Sequence, residues 1–387
     1  MKRAVLVSWL LLLMLVAGCQ TPAGPTREAP AGARTPGALR SGTSTPAVSP
    51  SAEQETAPQP TAAPTPTNLP VATTAPVTAD TPAGPLTITI FYTNDEHGWM
   101  EGMAEGEGAA SMLANWQEAG YDPDGPYLAL SGGDMWTGPA ISTWFEGEGM
   151  VEVMNGMGYA AAAVGNHEFD FGLDALRART LESDFPLLSA NLRATNGELP
   201  TEWGIAPYTI VDVAGVQVGI IGLTTQRTRT TTNPANISGF DFIDYEDALR
   251  EVVPAAREEG AELLLVAGHL CEAELVPLAQ AVADLDIALM GGGHCNELFA
   301  QEVNGIVLVE GGYHFTSYAT VTLTFDPAGD EVIDVSYEVV ENEPADAPDP
   351  AIAGIVARWR ELTDAELEVV LGFSEQGLPR ESDRLRR

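Results

Sequence analysis

The sequence is poor in the residues that several common catalytic mechanisms require. Its 387 residues include only three cysteines and five histidines, and Lys2 is the only lysine. A folded region without lysine cannot use a Schiff base, a P-loop lysine, the strand lysine of protein kinases or a serine–lysine acyl-enzyme. These mechanisms are therefore excluded.

Positive charge is scarce as well. Eighteen Lys+Arg stand against 55 Asp+Glu, so the formal net charge is −37 at pH 7. Binding a nucleic-acid polymer needs several cations that face a dense row of phosphates. We therefore expect no nucleic acid polymer among the partners. A small phosphorylated ligand would have to be bound by something other than a basic patch.

The N-terminal residues predict an export signal. Lys2 and Arg3 form a charged start, and the apolar run from residue 4 to 16 is too short to span a bilayer. The run ends in Val16-Ala17-Gly18-Cys19, which resembles a bacterial lipobox. That resemblance implies lipidation of Cys19 and an extracytoplasmic protein that is lipid-anchored to the cell membrane. The alternative is an ordinary cleaved signal with a chance cysteine, and both predict export.

Residues 20–85 have the composition of a linker. Fourteen of the 28 prolines lie there, among Ala, Thr, Ser and Gly, with almost no large apolar side chains. Such a segment cannot bury enough surface to offset its chain entropy. We expect a disordered tether that holds the next domain away from the membrane.

Short apolar runs alternate with helical patterns from residue 86 onward, which indicates an α/β fold. The predicted strands are 86–93, 127–130, 160–164, 187–189, 208–213, 216–223, 263–267, 287–290, 306–309, 319–325 and, as an edge strand, 332–340. The predicted helices are 108–118, 150–157, 173–180, 245–258, 275–282 and 351–362.

Side chains that can bind metal ions follow several of these strands. Because the carboxyl ends of strands in an α/β sheet share one rim, we expect residues distant in sequence to meet there. Four of the five histidines lie at such positions, and only His314 does not fit the pattern. Carboxylate, amide and imidazole ligands suit divalent ions such as zinc, manganese or iron. The candidates are Asp95, His97, Asp134, Asn166, His167, His269 and His294.

The order of these residues is more specific than any one motif. Asp95-x-His97, Gly133-Asp134, Gly165-Asn166-His167-Glu168, Gly268-His269 and Gly293-His294 resemble the five-block signature of calcineurin-like metallophosphoesterases. Segments 166–172, 189–192 and 218–224 are similar to the 5'-nucleotidase / UDP-sugar hydrolase / 2',3'-cyclic phosphodiesterase group. The resemblance implies a four-layer α/β/β/α sandwich of the metallophosphoesterase type over residues 86–345.

The resemblance also implies a site with two divalent metal ions, zinc, manganese or similar. It assigns one ion to Asp95, His97 and Asp134, and the other to Asp134, Asn166, His269 and His294. Asp134 would bridge the ions, since a carboxylate has two oxygens. His167 would donate to the phosphate or to the leaving oxygen, and Asp170 would orient its ring. From the residues alone, Asp170 could instead be the N-cap of the helix that follows, or have both roles.

One position departs from the family pattern. Two residues after His294 the family usually has a second ligand, histidine or glutamine, whereas this chain has Asn296. An amide oxygen can bind a metal ion, but asparagine is shorter than glutamine. Asn296 is therefore predicted as a ligand that binds the first metal more weakly.

Residues beside the motif histidines have several interpretations. Cys271 and Cys295 could form a disulfide, bind a metal or be small buried residues. We expect Glu168 to support its neighbours through hydrogen bonds. Trp99 and Trp136 are more typical of packing at the rim than of substrate stacking.

Residues 346–387 predict a linker helix and the truncated start of a further domain. In the nucleotidase group that C-terminal domain supplies an aromatic clamp for the base and arginines for the phosphate. A separate C-terminal specificity domain is therefore an expected partner, on which nucleotide specificity would depend.

The sequence thus predicts a dimetal phosphoesterase of the 5'-nucleotidase type, which hydrolyses phosphate esters of nucleotides by metal-activated water. Its substrate would be a small phosphorylated molecule, a nucleotide above all. One alternative is a SoxB-like thiosulfohydrolase with a similar metal scaffold. The other is a catalytically idle, metal-binding surface lipoprotein.

Overall fold

The computed structural model describes residues 84–368. The predicted signal with Cys19, the predicted linker up to residue 83 and residues 369–387 lie outside the described residues. The predictions for those segments stay predictions.

Strands and helices alternate through the described residues. The strands are β1 Leu86–Thr93, β2 Tyr127–Ser131, β3 Tyr159–Ala163, β4 Leu187–Leu188, β5 Leu192–Ala194, β6 Ile205–Ala206, β7 Tyr208–Val213, β8 Val216–Thr224, β9 Phe240–Phe242, β10 Leu263–His269, β11 Leu289–Gly291, β12 Leu298–Val303, β13 Ile306–Gly311, β14 Ser317–Asp326 and β15 Glu331–Glu341. The helices are α1 Ala109–Glu118, α2 Ala140–Thr143, α3 Glu148–Met157, α4 Leu173–Glu182, α5 Thr228–Thr231, α6 Tyr245–Glu258, α7 Glu272–Ala281 and α8 Pro350–Leu367.

Most strands belong to two large mixed sheets. The first has the order β15-β14-β1-β2-β3-β4-β6, in which β1, β2, β3, β4 and β6 run parallel and β14 is antiparallel to both of its neighbours, β1 and β15. The second has the order β12-β13-β11-β10-β8-β7, with four parallel strands flanked by antiparallel β12 and β7. Strands β5 and β9 pair separately.

Alternating side chains of the central strands stack the sheets and helices into four layers. In β1, Ile88 and Ile90 point into the core between the two sheets, whereas Phe91 packs in the helical layer beside Trp116 of α1. In β10, Leu265 lies between the sheets and its neighbours face α6 and α7. Because strand side chains alternate between faces, each buried strand is apolar on both sides. The predicted α/β/β/α sandwich is confirmed.

Helix α8 belongs to the outer helical layer. The Asp349 side chain caps its start by accepting bonds from the N–H groups of Ala351 and Ile352. Trp359 is buried, and its Nε1 lies 2.9 Å from Glu152 of α3. The helix predicted here therefore exists, and it packs on the domain that precedes it.

The sequence predicted every strand of five or more residues except β12. It missed the two- and three-residue strands β5, β6 and β9, and the four-residue helices α2 and α5. The predicted strand 263–267 is two residues too short, because β10 continues through His269 in register with Thr224 of β8. Within residues 84–368, no helix has the length and apolar character needed to cross a bilayer.

Candidate metal centre

The ends of both sheets meet around Tyr92, near the end of β1. Its buried hydroxyl lies 3.2 Å from the carbonyl oxygen of Gly268 and 2.9 Å from that of Gly292. A side chain at Gly132, after β2, would collide with this hydroxyl and with the Gly292 carbonyl. Glycine at position 132 thus allows the strand ends of the two sheets to approach.

The predicted ligands converge at this junction, and we call them the strand-end cluster: Asp95, His97, Asp134, Asn166, His167, His269 and His294. Asp134 is central, because its Oδ2 lies 3.0 Å from Nε2 of His269, 3.9 Å from Nε2 of His97 and 4.0 Å from Nε2 of His167. Asp95 and Asn166 complete the cluster, with Asp95 Oδ1 3.7 Å from Nε2 of His97. Asn166 Oδ1 lies 3.3 Å from Nε2 of His269.

Two sets of side chains in the cluster could hold a metal ion. One contains His97, Asp134 and His167, and the other contains Asp134, His269 and His294. The second agrees with the predicted ligands of the second ion. The first set includes His167, which the sequence predicts to donate a proton or a hydrogen bond and not to bind a metal ion.

Hydrogen bonds around the cluster leave specific nitrogens available to a cation. Nδ1 of His97 lies 2.8 Å from the Thr137 carbonyl, and Nδ1 of His269 lies 2.8 Å from the Gly132 carbonyl. Because a carbonyl only accepts, each Nδ1 carries a proton, and Nε2 of the neutral ring keeps its lone pair. Such bonds fix metal-binding histidines in position.

These lone pairs face a buried carboxylate. Burial alone would lower the pKa of His269, but the charge of Asp134 raises it to about 10. The histidines around Asp134 lower the pKa of that carboxyl against the opposing effect of burial. A positive charge between these groups is thus strongly favoured, and the nitrogen and oxygen donors fit a divalent metal ion.

The backbone of the cluster is held in a left-handed conformation. Asp95, His97, Asp134 and His294 have φ values of 51°, 47°, 59° and 75°. Non-glycine residues adopt this region at a cost, and such residues collect at functional sites. Neighbouring contacts maintain it: Asp95 accepts bonds from the Asn94 side chain at 2.7 Å and from the His294 N–H at 2.9 Å.

Glu168 supports its neighbours as predicted. Its buried carboxylate accepts bonds from the N–H groups of Asp134 at 2.8 Å, Met135 at 2.8 Å and Gly165 at 2.6 Å. Burial raises its pKa to about 7, against the effect of these bonds. One side chain thereby connects the loop after β2 to the loop after β3.

His167 and Asp170 form a hydrogen-bonded pair. Nδ1 of His167 lies 2.6 Å from Oδ2 of Asp170. Burial lowers the pKa of His167, but the bond to Asp170 and the charge of Asp134 raise it to about 9. Gly172 precedes α4, and no side chain caps that helix. The N-cap alternative for Asp170 is therefore wrong, and Nε2 of His167 faces the cluster.

A disulfide joins Cys271 and Cys295, beside His294. Of the three interpretations of these cysteines, the structure selects this one. Arg227, which sequence reasoning missed, lies against it, with Nη1 3.9 Å from Sγ of Cys271 and its side chain 54% exposed. Burial and the charges of His269 and Arg227 lower the pKa of His294 to about 4. Its position three residues after the end of β8 was the available signal for Arg227.

Asn296 and His314 lie outside the strand-end cluster as defined above. Asn296 is exposed and has a φ of 55°, so its role as a ligand stays a prediction. His314, which the sequence left outside the pattern, lies with its ring centre 5.6 Å from that of His97. The loop after β13 brings it there, and it stacks on Trp99. Trp136, by contrast, is fully buried in the core.

No protein-family model matches the chain. The chain is similar to the 5'-nucleotidase of Vibrio cholerae, with 33% identity over 237 residues, which are 57% of this chain and 42% of that protein. It is also similar to a snake venom 5'-nucleotidase of Naja atra, with 30% identity over 72% of this chain and 57% of that protein. The chain therefore spans less than half the length of the bacterial relative and little more than half of the venom protein.

A solved structure shares the fold. A calcineurin-like phosphoesterase of Bacillus subtilis superimposes with a TM-score of 0.63 at 22% identity. The match covers 73% of this chain and 99% of that chain.

Proposed function

We propose that this chain, which belongs to the 5'-nucleotidase family of calcineurin-like metallophosphoesterases, releases phosphate from nucleoside 5'-phosphates. The observation that carries the proposal is the position of Asp134, whose Oδ2 faces Nε2 atoms of three histidines while His167 is bonded to Asp170. The similarity to the 5'-nucleotidases of Vibrio cholerae and Naja atra supports the substrate class.

Two divalent ions, zinc or manganese, would be held by the strand-end cluster. We assign one to Asp95, His97 and Asp134, with Asn296 as a further candidate, and the other to Asp134, Asn166, His269 and His294. When bound, two such ions hold the phosphoryl oxygens, lower the pKa of water and stabilise the charge of an in-line displacement. The two metal ions would thus do what lysine cannot do in this chain.

We assign His167 the role of proton donor and not that of metal ligand. Its Nδ1 is engaged by Asp170, which holds the ring and favours the protonated form. Nε2 can therefore hold a proton on the side that faces the cluster. In the proposed reaction, this proton forms a hydrogen bond to the phosphate or passes to the leaving oxygen.

The test uses the full chain with manganese or zinc and measures phosphate release from AMP. We expect a chelator to abolish release and added metal to restore it. His167→Asn should reduce kcat by about 10²- to 10⁴-fold and leave the bound metal unchanged. An absence of chelator-sensitive release would overturn the proposed function and favour the idle alternative. Loss of metal in His167→Asn would instead place His167 among the ligands.

We further propose that the chain is exported and attached to the membrane through lipidated Cys19. The Cys271–Cys295 disulfide supports export, since disulfides persist in oxidising compartments. Labelling with a radioactive fatty acid tests the attachment. We expect label on the wild-type chain and none on Cys19→Ala, and equal labelling of both would contradict the proposal.

A further inference from the structure

A row of aromatic rings leads away from the strand-end cluster. The ring centre of His97 lies 5.0 Å from that of His167 and 5.6 Å from that of His314. His314 in turn stacks on Trp99 at 4.9 Å, with 27° between the ring planes. We call this stacked pair the Trp99–His314 platform. It begins one ring away from a predicted metal ligand.

The backbone holds the platform in place. The His314 N–H donates to the Asp95 carbonyl at 2.9 Å, so the loop after β13 is tied to the end of β1. His314 and Phe315 are consecutive non-glycine residues with φ values of 55° and 57°, and Phe315 is buried. Strain of this kind persists only where the surroundings impose it. The backbone that carries the His314 ring is therefore held beside the end of β1.

The platform reaches solvent and has apolar surroundings. Trp99 and His314 are partly exposed, and Met103, whose Sδ lies 3.4 Å from Nδ1 of His314, is 50% exposed. Tyr313 contacts His314 edge-on at 4.7 Å. Faces of tryptophan and imidazole with a flexible thioether at the edge suit a flat, apolar ring. A further phosphate or another anion would find no cation among these four side chains.

We propose that the Trp99–His314 platform binds the planar, aromatic part of the leaving group, so that this domain itself selects esters that carry such a ring. The inference rests on the proposed function, because it assigns the phosphate of the same substrate to the strand-end cluster. An aromatic ring gains binding energy by stacking whatever its hydrogen-bonding groups are. The platform therefore accepts different bases and discriminates against esters without a ring.

The kinetic test compares AMP with ribose 5-phosphate, which carries a hydroxyl group where AMP carries the base. We expect the wild-type chain to have the higher kcat/KM for AMP. Trp99→Leu should reduce the ratio of the two values by about 5- to 150-fold, the range expected for one lost base–aromatic stack. Trp99→Phe should retain most of the ratio. Trp144→Leu is the matched control, since Trp144 is 53% exposed and outside the row of rings, and it should leave the ratio unchanged.

A binding measurement separates this inference from the proposed function. Adenosine has the ring without the phosphate, and its binding to the full chain can be followed by calorimetry without turnover. We expect weaker binding by Trp99→Leu and by His314→Asn, an exchange that tolerates the left-handed backbone. If AMP is not hydrolysed but these variants bind adenosine at least 5-fold more weakly, the function fails and the platform stands. If AMP is hydrolysed with an unchanged ratio in Trp99→Leu, the platform is overturned and the function stands. Absence of adenosine binding to the wild type also overturns it.

Discussion

Nε2 of His269 lies 3.0 Å from Oδ2 of Asp134, and this contact joins the two sheets of the domain. His269 is the last residue of β10 in the second sheet, whereas Asp134 follows β2 in the first. Both side chains are buried. The candidate metal centre is thus built across the interface between the sheets, and its geometry depends on how closely they pack.

Asp134→Asn removes the charge at the centre of the cluster and keeps the shape of the side chain. We expect metal affinity to fall by more than the roughly 10- to 100-fold that loss of an outer hydrogen-bond partner costs. Elemental analysis of the purified chain measures the bound metal. Asp334→Asn, at an exposed position on β15, is the control and should retain it. Equal metal content in the two variants would refute the assignment of Asp134.

Glu168→Ala removes the acceptor of three buried N–H groups. Each buried donor left without a partner costs about 1–3 kcal/mol, so the free energy of unfolding should fall by roughly 3 kcal/mol or more. Denaturant unfolding measures this change. Glu168→Gln keeps one acceptor oxygen and should lose less, and Glu302→Ala, at an exposed position, should have little effect. If Glu168→Ala lost no more stability than Glu302→Ala, the three hydrogen bonds to Glu168 would not contribute to stability.

The disulfide closes a loop between cysteines 24 positions apart. Its removal in a chain carrying both Cys271→Ser and Cys295→Ser should lower the free energy of unfolding by about 3 kcal/mol. Because Cys295 adjoins His294, metal affinity should fall in the same variant. Unfolding with and without a reductant provides the comparison. The reductant should destabilise the wild type and leave the double variant unaffected, and an insensitive wild type would contradict the prediction.

Glu310 makes the stability of the metal-free chain depend on pH. Burial raises its pKa to about 9 from a usual value near 4.5, and the charge of Asp95 adds to the shift. Between these values the unfolded chain has lost the proton that the folded chain keeps. Stability is therefore present below pH 4.5 and falls as pH rises toward 9, by up to about 1.4 kcal/mol per pH unit.

Glu310→Gln tests this dependence, since it keeps the oxygen that accepts the Glu297 N–H at 2.7 Å. Thermal unfolding in the presence of a chelator should show that the variant gains stability over the wild type at pH 8 but not at pH 5. Glu302→Gln, at an exposed position, should follow the wild type. If the stability of Glu310→Gln and of the wild type changed with pH in the same way, a neutral, buried Glu310 would be excluded.

Strands with long apolar runs could be located from the sequence because burial on both faces leaves a continuous pattern. The predicted range 86–93 is the observed β1, and 245–258 is the observed α6. Strand β12, Leu298–Val303, was missed because it is a partly exposed edge strand with mixed polarity. Its conformation comes from pairing with β13, an interaction that no local pattern records.

The members of the cluster could be chosen from the sequence for a related reason. Parallel strands bring their carboxyl ends to one rim, so a residue directly after a strand has a predictable place. His314 escaped this rule because the predicted strand ended at residue 309, whereas β13 continues to Gly311 and leaves His314 only three residues beyond its end. A strained loop then carries it to His97. Arg227 also follows a strand, β8, by three residues, but it was passed over because the candidates were side chains that can bind metal ions.

The sequence by itself therefore determined which segments with long apolar runs form strands, that lysine catalysis is excluded, and which donor atoms can bind a metal ion. Each of these follows from the residue types and their local order. Three-dimensional packing settles the alternatives that the residues left open. Cys271 meets Cys295, Asp170 bonds His167 instead of capping a helix, and the His314 ring lies beside that of His97. The physical reason is that each of these outcomes is a distance fixed by the folded backbone. Cys271 and Cys295 follow β10 and β11, which are neighbours in one sheet, and the turn after β3 brings Asp170 to His167. The His314 N–H is bonded to the Asp95 carbonyl, which brings the loop after β13 to the end of β1.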